Sequence, residues 1–350
     1  MLTVYSDTHH EQAGKAELIN GTLMPCFENP SRADMVREAV DAAGFSRIGP
    51  TDHGKEPILA VHRENYVRFL ETFWERWSRP SRRSATGRDY DALPLIWPTR
   101  CFRQVEPEDI DGQLGYFSMD AGTPVTKGTW TAIYGSAQTA LTGADRLLAG
   151  EKGVFALCRP PGHHAAADVF GGYCFFNNAA IAAQHLRDKG CSRVAVLDVD
   201  YHHGNGTQSI FYDRADVLFA SIHGDPRTEF PFYLGFADEK GESAGLGFNH
   251  NFPLPAGCDV PAWMSALTDA CRVISTFRPD ALVVSLGLDT YQGDPISTFK
   301  LDTPEFVRMG EQLGRLGVPT LFCLEGGYAV GPIGANAVAV LSGYDGTAHG

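Results

Sequence analysis

The sequence predicts an α/β protein with a mostly parallel β-sheet and helices on both faces. Three observations support this fold class. Short apolar runs alternate with helical segments from residue 128 onward, as in strands joined by crossover helices. The central run, residues 194–197, is apolar throughout, which is typical of a strand buried on both faces. Polar clusters follow several of these runs, at the edge where ligands bind in such sheets.

The individual elements follow from periodicity and from residues that begin or end a helix. Ser31 is the expected N-cap of the first helix and Gly44 its stop signal. In the second helix, aromatic residues recur at spacings of three and four, which predicts a core-facing stripe. The predicted strands are 2–5, 154–158, 194–200, 217–223, 281–288 and 320–325, and the predicted helices are 31–43, 61–77, 130–149, 178–189, 263–277, 303–315 and 334–341.

Residues 79–127 interrupt this pattern. The segment is rich in Pro, Gly, Ser and charged residues, has little periodicity, and is far longer than an ordinary connection. Several aromatic residues within it predict that it packs against the rest of the protein. We therefore expect one domain over residues 1–350, with an ordered inserted loop at about 79–127.

Composition restricts the class of function. The chain has 350 residues and a formal charge of −13, from 42 acidic and 29 basic residues. This balance argues against a nucleic-acid partner and favours a cationic small substrate, although solubility alone would also explain it. Eight cysteines without a CxxC pair argue against sulfur-ligated zinc and predict a reducing compartment. Because the sequence shows neither the features of a signal peptide nor a long apolar run, we expect a cytoplasmic protein that does not enter the membrane.

The segment RVAVLDVDYHHGNGTQ, residues 193–208, carries the strongest chemical signal. Asp198, Asp200, His202 and His203 follow the central apolar run, and glycines then break the strand. On an extended backbone Asp200 and His202 would project from the same side. A carboxylate and an imidazole so placed make half of a catalytic zinc site; the alternative is an Asp-capped loop with solvated histidines.

Other predicted strands also end in ionisable groups. Those residues are His163, His164, His223, Asp289 and Tyr328. Asp200, His202 and Asp289 together would supply three metal ligands and leave a position open for water, which is the catalytic arrangement for zinc. Bound zinc lowers the pKa of water to about 7 and polarises a carbonyl.

The remaining candidates surround that cluster. His163 and His164 follow a stiff Pro-Pro-Gly turn and could act as an acid–base pair, with Asp198 and Asn205 placed to hydrogen-bond them. A structural role is the alternative for each histidine.

Two glycine turns complete the predicted site. Tyr328 could donate a hydrogen bond to an oxyanion, or could anchor a buried loop. Gly171 and Gly172 open a second turn, after which Tyr173 and the distant Phe230 could wall a narrow apolar tunnel or merely pack.

Five motifs make the chain resemble the zinc-dependent histone deacetylase family. They are RPPGHH, GGYCFFNN, LDVDYHHGNGTQ, SLGLDT and LEGGY, and they span roughly residues 155–330. Within that family the N-terminal part resembles the acetylpolyamine amidohydrolases, through KAEL at 15–18, FLETFWERW at 69–77 and IDGQLGY at 110–116.

The resemblance implies an arginase–deacetylase fold with about eight strands and hydrolysis of N-acetylated polyamines or diamines to amine and acetate. It implies one Zn²⁺ per chain on Asp200, His202 and Asp289, with Fe²⁺ or Co²⁺ as substitutes. It makes His163 and His164 the acid–base histidines and Tyr328 the carbonyl-polarising residue. It also implies two structural K⁺ or Na⁺ sites. The first would involve Asp198, Asp200, His202, Ser221 and Ile222, and the second Phe211, Arg214 and Val217.

In acetylpolyamine amidohydrolases the long early loop joins a dimer partner and narrows the tunnel, so the resemblance implies a homodimer through residues 79–127. Two departures matter. Asn205 stands where many histone deacetylases have Asp. Asp111 matches one acid that recognises the distal ammonium, whereas the other matched position is Gly122, with Asp120 close by.

Three other functions are compatible with parts of this sequence. A lysine deacetylase acting on peptides or proteins is the main alternative. The arginase and agmatinase branch uses two metals, but Gly204 and Gly287 stand where its further carboxylates would lie. A binding protein with a degenerate site is disfavoured because each candidate catalytic residue is present.

Overall fold

The computed structural model describes residues 1–79 and 90–348, and its centre is an eight-stranded sheet. The strands are β1 Leu2–Val4, β2 Glu17–Ile19, β3 Thr22–Met24, β4 Ser46–Ile48, β5 Gly153–Ala156, β6 Val194–Asp198, β7 Val217–Gly224, β8 Asn249–Leu254, β9 Ala281–Leu286 and β10 Thr320–Leu324. The order across the sheet is β4-β1-β5-β10-β9-β6-β7-β8, and each neighbouring pair is parallel. The predicted α/β fold is confirmed, and β2 and β3 form a separate antiparallel hairpin.

Helices cover both faces of the sheet. They are α1 Ser31–Ala42, α2 Glu56–Leu59, α3 Glu64–Trp77, α4 Ile110–Tyr116, α5 Thr129–Leu148, α6 Asn178–Asp188, α7 Asn205–Phe211, α8 Val260–Phe277, α9 Thr303–Gly314 and α10 Val330–Ala348. Among these described helices, none has both the length and the apolar character needed to cross a membrane.

Alternation along the strands divides the interior into two cores. In β6, Val194 and Val196 pack with α5 and α6, whereas Ala195 and Leu197 pack with α8, α9 and α10 on the opposite face. All five residues of β6 are buried. The continuous apolar run at 194–197 is therefore explained by burial on both faces of a central strand.

The structure corrects several predicted boundaries. Pro30, not Ser31, occupies the N-cap position of α1, and Ser31 instead donates its backbone N–H to Asn29 Oδ1 at 3.2 Å. The central strand ends at Asp198 rather than at residue 200, and α10 extends well beyond 334–341. The edge strands β4 and β8 were not predicted because many of their residues are polar, and strands at the edge of a sheet tolerate polar residues.

The described part of the long loop packs on the protein. Ala92 forms a bridge with Val125, and Ile110, Leu114 and Phe117 join a core cluster with the aromatic stripe of α3. Residues 80–89 of the predicted loop lie outside the described residues.

Candidate active site

Three potential metal ligands converge beyond the ends of β6 and β9. His202 Nδ1 lies 3.3 Å from Asp200 Oδ1 and 3.1 Å from Asp289 Oδ2. The ligand atoms of the three residues lie within 4.8 Å of one another. Both carboxylates are fully buried, so the cluster is a compact arrangement of one nitrogen and two oxygen donors.

Backbone donors orient these carboxylates. Gly326 N donates to Asp200 Oδ2 at 2.8 Å, and Tyr201 N donates to Asp289 Oδ1 at 2.8 Å. His202 N donates to Asp200 Oδ1 at 2.9 Å. The chain bends after β6, so a turn around the Asp200 carboxylate, and not an extended strand, brings the Asp200 and His202 side chains together.

The electrostatic environment of Asp200, His202 and Asp289 favours a bound cation. Burial and the charge of Asp200 raise the pKa of Asp289 to about 8. Burial alone would lower the pKa of His202, but hydrogen bonds with Asp200 and Asp289 raise it to about 10. The His202 imidazole therefore holds its proton, and a positive charge, between the two buried carboxyl groups. The donor set fits a divalent metal such as zinc, which would replace the proton on the His202 ring.

His163 lies beside this cluster and is paired with a carboxylate. Its Nδ1 is 2.9 Å from Asp198 Oδ2, and its Nε2 is 3.8 Å from Asp200 Oδ1. Burial would lower the pKa of His163, but the charges of Asp198 and Asp200 raise it to about 10. The surroundings of His163 therefore favour the imidazolium.

His164 has a different environment. Its Nδ1 lies 2.7 Å from Asn205 Oδ1, and its ring centroid is 4.0 Å from that of His163. Burial and the charges of His163 and His202 hold the pKa of His164 well below its usual value. A neutral amide partner therefore leaves this ring as the uncharged member of the pair.

Tyr328 is buried on the loop after β10. Asp294 Oδ2 accepts hydrogen bonds from Tyr328 N at 2.7 Å and Ala329 N at 3.2 Å. The Arg32 guanidinium lies 4.8 Å from the Tyr328 ring centroid and donates to the backbone carbonyls of Glu325 and Gly327. Two charged residues from distant segments thus fix this loop.

Gly172 lies directly against the catalytic histidine candidates. A Cβ built at Gly172 would come within 2.2 Å of His164 Cδ2, and Gly172 has φ +53°. Its N–H donates to Asp120 Oδ2 at 2.5 Å, and the following Tyr173 N donates to Thr123 Oγ1 at 2.9 Å. Glycine is needed here because the backbone packs on the imidazole.

A cavity of about 600 Å³ leads to this site. Tyr173 and Phe230 line it as predicted walls, and the Phe230 ring centroid lies 5.0 Å from that of His164. The cavity also has acidic lining residues, which are Glu17, Asp120 and Glu229. Among its described lining residues there is no Lys or Arg.

Several predicted residues lie elsewhere. Asp111 is exposed in the first turn of α4 and does not line the cavity of its own chain. His203 and His223 are buried but hydrogen-bond to Gln208 Oε1 and Gly235 O at 3.0 and 2.8 Å, so they do not join the three candidate metal ligands.

The predicted monovalent-cation residues occupy two places. Asp198 is paired with Ser221 across β6 and β7, and Ser221 Oγ lies 2.8 Å from His223 Nδ1. At the second place, Phe211 O accepts from Arg214 N at 3.1 Å, and Val217 begins β7. The two predicted K⁺ or Na⁺ sites therefore remain predictions.

Sequence reasoning missed the buried groups that support the histidine turn. Glu325 Oε2 accepts from Gly162 N at 2.6 Å and His163 N at 3.1 Å. Arg159, one residue before that turn, donates to both oxygens of Glu28 at 2.7 and 3.0 Å. Arg159 lies within the RPPGHH motif and Glu325 within LEGGY, so their positions could have revealed them, whereas nothing in the sequence around Glu28 indicates its role.

Comparison with known proteins identifies the class that this fold and site define. The histone deacetylase domain matches residues 26–344, so the chain belongs to the histone deacetylase family.

Three similar proteins within the family are acetylpolyamine amidohydrolases or aminohydrolases by name. The chain is 60% identical over 347 residues to acetylpolyamine amidohydrolase 2 of Pseudomonas aeruginosa, covering 99% of each. It is 48% identical to the acetylpolyamine amidohydrolase of Mycoplana ramosa, covering 99% of this chain and 100% of that one. The crystal structure of acetylpolyamine aminohydrolase from Burkholderia pseudomallei superposes with a TM-score of 0.92, at 41% identity and 98% coverage of both chains.

Proposed function

We propose that this chain hydrolyses the acetamide of N-acetylated polyamines or diamines to the free amine and acetate. The observation that carries the proposal is the acidic cavity above a cluster of three metal ligands. Acetylputrescine and its homologues join a neutral acetamide to a distal ammonium. An acidic cavity without Lys or Arg among its described lining residues is complementary to that charge. The names of the similar proteins support the same substrate class.

We propose that Asp200, His202 and Asp289 hold one Zn²⁺, for which Fe²⁺ or Co²⁺ could substitute. The bound ion would make water a nucleophile at neutral pH and polarise the acetyl carbonyl.

The histidine pair would then divide the proton chemistry. His164, kept neutral beside Asn205, accepts the proton of the attacking water at Nε2 and returns it to the leaving amine. His163, paired with Asp198, keeps its positive charge and stabilises developing negative charge nearby. The Tyr328 hydroxyl donates a hydrogen bond to the carbonyl oxygen as that oxygen becomes an oxyanion.

Glu17 is a candidate for binding the distal ammonium. Its Oε1 accepts from Phe27 N at 2.8 Å. Its Oε2 is buried and has no partner within hydrogen-bonding distance among the described residues. Burial raises the pKa of Glu17, and the nearby Tyr173 hydroxyl partly opposes that shift. An ammonium at this wall of the cavity would supply the partner that Oε2 lacks and would favour the carboxylate.

Asp111 would serve the same purpose in a homodimer, by reaching the cavity of a second copy. Exposed apolar residues around the long loop support such an interface: Leu95, Ile96, Phe102 and Val105, together with Leu23 of the β2–β3 hairpin. Light scattering should give twice the chain mass, and a monomer at micromolar concentration would exclude this role for Asp111.

We also propose that structural K⁺ or Na⁺ ions bind at two sites, one near Asp198 and one near Phe211. The eight free cysteines support a reducing, cytoplasmic location.

A kinetic panel tests the proposed substrate class. N-acetylputrescine should exceed N-butylacetamide in kcat/KM, since the two differ by the distal ammonium. Comparing kcat/KM for acetylcadaverine, acetylspermidine and acetylspermine measures the preference for substrate length. An acetyl-lysine peptide tests the alternative function. Equal or faster turnover of the peptide would favour a lysine deacetylase.

A further inference from the structure

A second cluster of two histidines and one carboxylate lies apart from the active site. Asp145 Oδ2 is 2.9 Å from His53 Nε2, and Asp145 Oδ1 is 2.7 Å from His185 Nε2. None of the three residues lines the active-site cavity. We propose that His53, Asp145 and His185 bind a second divalent metal ion of the zinc class.

The hydrogen bonds of His53 define which ring nitrogen carries its proton. Its Nδ1 faces two acceptors, the backbone carbonyl of Thr51 at 2.9 Å and Gln138 Oε1 at 3.1 Å. Gln138 Nε2 donates to Gly54 O at 3.1 Å, which assigns the Gln138 oxygen to the His53 side. A carbonyl acceptor at Nδ1 requires the proton there, so a neutral His53 presents a bare lone pair at Nε2.

That lone pair points at another acceptor. Asp145 Oδ2 is a carboxylate oxygen, which accepts hydrogen bonds and cannot donate one when ionised. Two lone pairs 2.9 Å apart repel unless a cation lies between them. The cation is either a proton, which makes His53 an imidazolium, or a metal ion shared with His185.

The arrangement has the features of a protein metal site. A metal-binding histidine commonly donates its other ring N–H to a carbonyl, as His53 does to Thr51. Zinc bonds of about 2.0–2.1 Å place tetrahedral ligand atoms about 3.3 Å apart, so each ring would withdraw from Asp145 by about 0.5 Å. The ligand atoms of the three residues lie within 4.8 Å of one another. In the active-site cluster the comparable separations are 3.1 and 3.3 Å.

Burial at the cluster suits a structural ion with a water ligand. The side chains of His53 and His185 are 11% and 6% exposed, whereas that of Asp145 is 47% exposed. The buried rings come from the segment after β4 and from α6, and the open carboxylate comes from α5. An ion here would join these three segments, with its fourth position reached from solvent.

Metal stoichiometry tests the proposal directly. Cys101 is an exposed thiol and therefore a candidate for adventitious zinc binding, so each protein, the parent included, carries Cys101→Ser. Apoprotein is dialysed against micromolar Zn²⁺, and bound zinc is counted by mass spectrometry. His53→Gln and His185→Gln should each bind one equivalent less than the parent. His250→Ala, which removes a histidine outside both clusters, should bind as much as the parent.

Two further measurements separate metal loss from misfolding. Circular dichroism and deacetylase activity should be retained in His53→Gln, and Asp145→Asn serves as a third variant if His185→Gln fails to fold. Zn²⁺ should raise the Tm of the parent more than that of the variants, because the parent binds an additional ion in its native state.

Equal zinc content in the parent and the folded variants would overturn the proposal and leave an imidazolium as the bridge. The result does not depend on the proposed function, since it measures a difference of one equivalent whatever the active site binds.

Discussion

Asp198 Oδ2 lies 2.9 Å from the Nδ1 nitrogen of His163. The adjacent ring, His164, has the amide oxygen of Asn205 at 2.7 Å in the equivalent position. One imidazole is therefore paired with a charge and the other with a neutral dipole. Because only the carboxylate strongly stabilises an imidazolium, the two neighbouring rings are suited to different steps of the same reaction.

Asn205→Asp should make the two histidines alike. A carboxylate at 4 Å or less raises a histidine pKa by about 1–3 units. His164 would then lose its proton only at higher pH, so the acidic limb of the kcat/KM profile should move upward by that amount. An acidic limb that stays in place would show that His164 is not the group whose deprotonation limits the rate.

Tyr328→Phe should lower kcat by about 10²–10³-fold, the usual effect of removing one oxyanion donor. Zinc content should be unchanged, because Tyr328 is not among the three ligand candidates. Single-turnover kinetics and metal analysis measure the two effects.

The matched control for that variant is Tyr344→Phe. Tyr344 is buried and donates to Lys152 O at 2.7 Å, well outside the cavity. Its loss should reduce the free energy of unfolding by about 1 kcal/mol and leave kcat intact. Near-native turnover by Tyr328→Phe would remove Tyr328 from the mechanism.

Glu17→Gln should weaken binding of the distal ammonium. Losing a charge-assisted hydrogen bond costs about 1.5–3 kcal/mol, so KM for acetylputrescine should rise by about 10–100-fold. KM for N-butylacetamide, which has no ammonium, should change little in the same variant. A similar change for both substrates would indicate a general effect on the cavity and would exclude Glu17 as the ammonium partner.

The parallel sheet was predictable because its central strands are buried on both faces and therefore read as continuous apolar runs. The edge strand Asn249–Leu254 was not, since the partly exposed His250 and Pro253 and the buried, polar Asn251 interrupt the apolar pattern. The strands were predicted correctly where burial restricts the residue type to apolar side chains. They were missed at the edge of the sheet, where polar residues are also accepted.

The candidate site divides along a similar line. Asp200 and His202 could be predicted as a pair of candidate metal ligands because they lie two residues apart, although the prediction did not include the turn that brings their side chains together. Glu17 lines the cavity, and Asp294 accepts a hydrogen bond from Tyr328 N, 34 residues further along the chain. Their placement depends on how the hairpin and the loop after β9 fold over the cavity, which no local pattern encodes.

His62 should make stability depend on pH. It is buried, its Nε2 accepts from Asn177 N at 3.0 Å, and burial lowers its pKa from 6.5 to about 4. Between these values the unfolded chain binds the proton and the native state does not, so stability falls as pH decreases from about 6.5 to 4. The loss from this residue should approach about 3 kcal/mol.

His62→Gln keeps an acceptor for Asn177 N without a titrating group. Its urea-unfolding free energy should therefore decline less than that of the parent between pH 7 and pH 4.5. Parallel declines in the two proteins would show that His62 is not responsible.

Gly172→Ala should disable catalysis by steric contact. Its Cβ would lie 2.2 Å from His164 Cδ2, so the ring has to move, and kcat should fall by about 10²-fold for a displacement near 1 Å. Gly190→Ala is the matched control, because Gly190 also has positive φ, +109°, but a Cβ there meets nothing within 4 Å. Both variants carry a conformational cost of about 1–2 kcal/mol, measurable by urea unfolding. If both retained kcat, close packing of the glycine turn on His164 would not be needed to orient that ring.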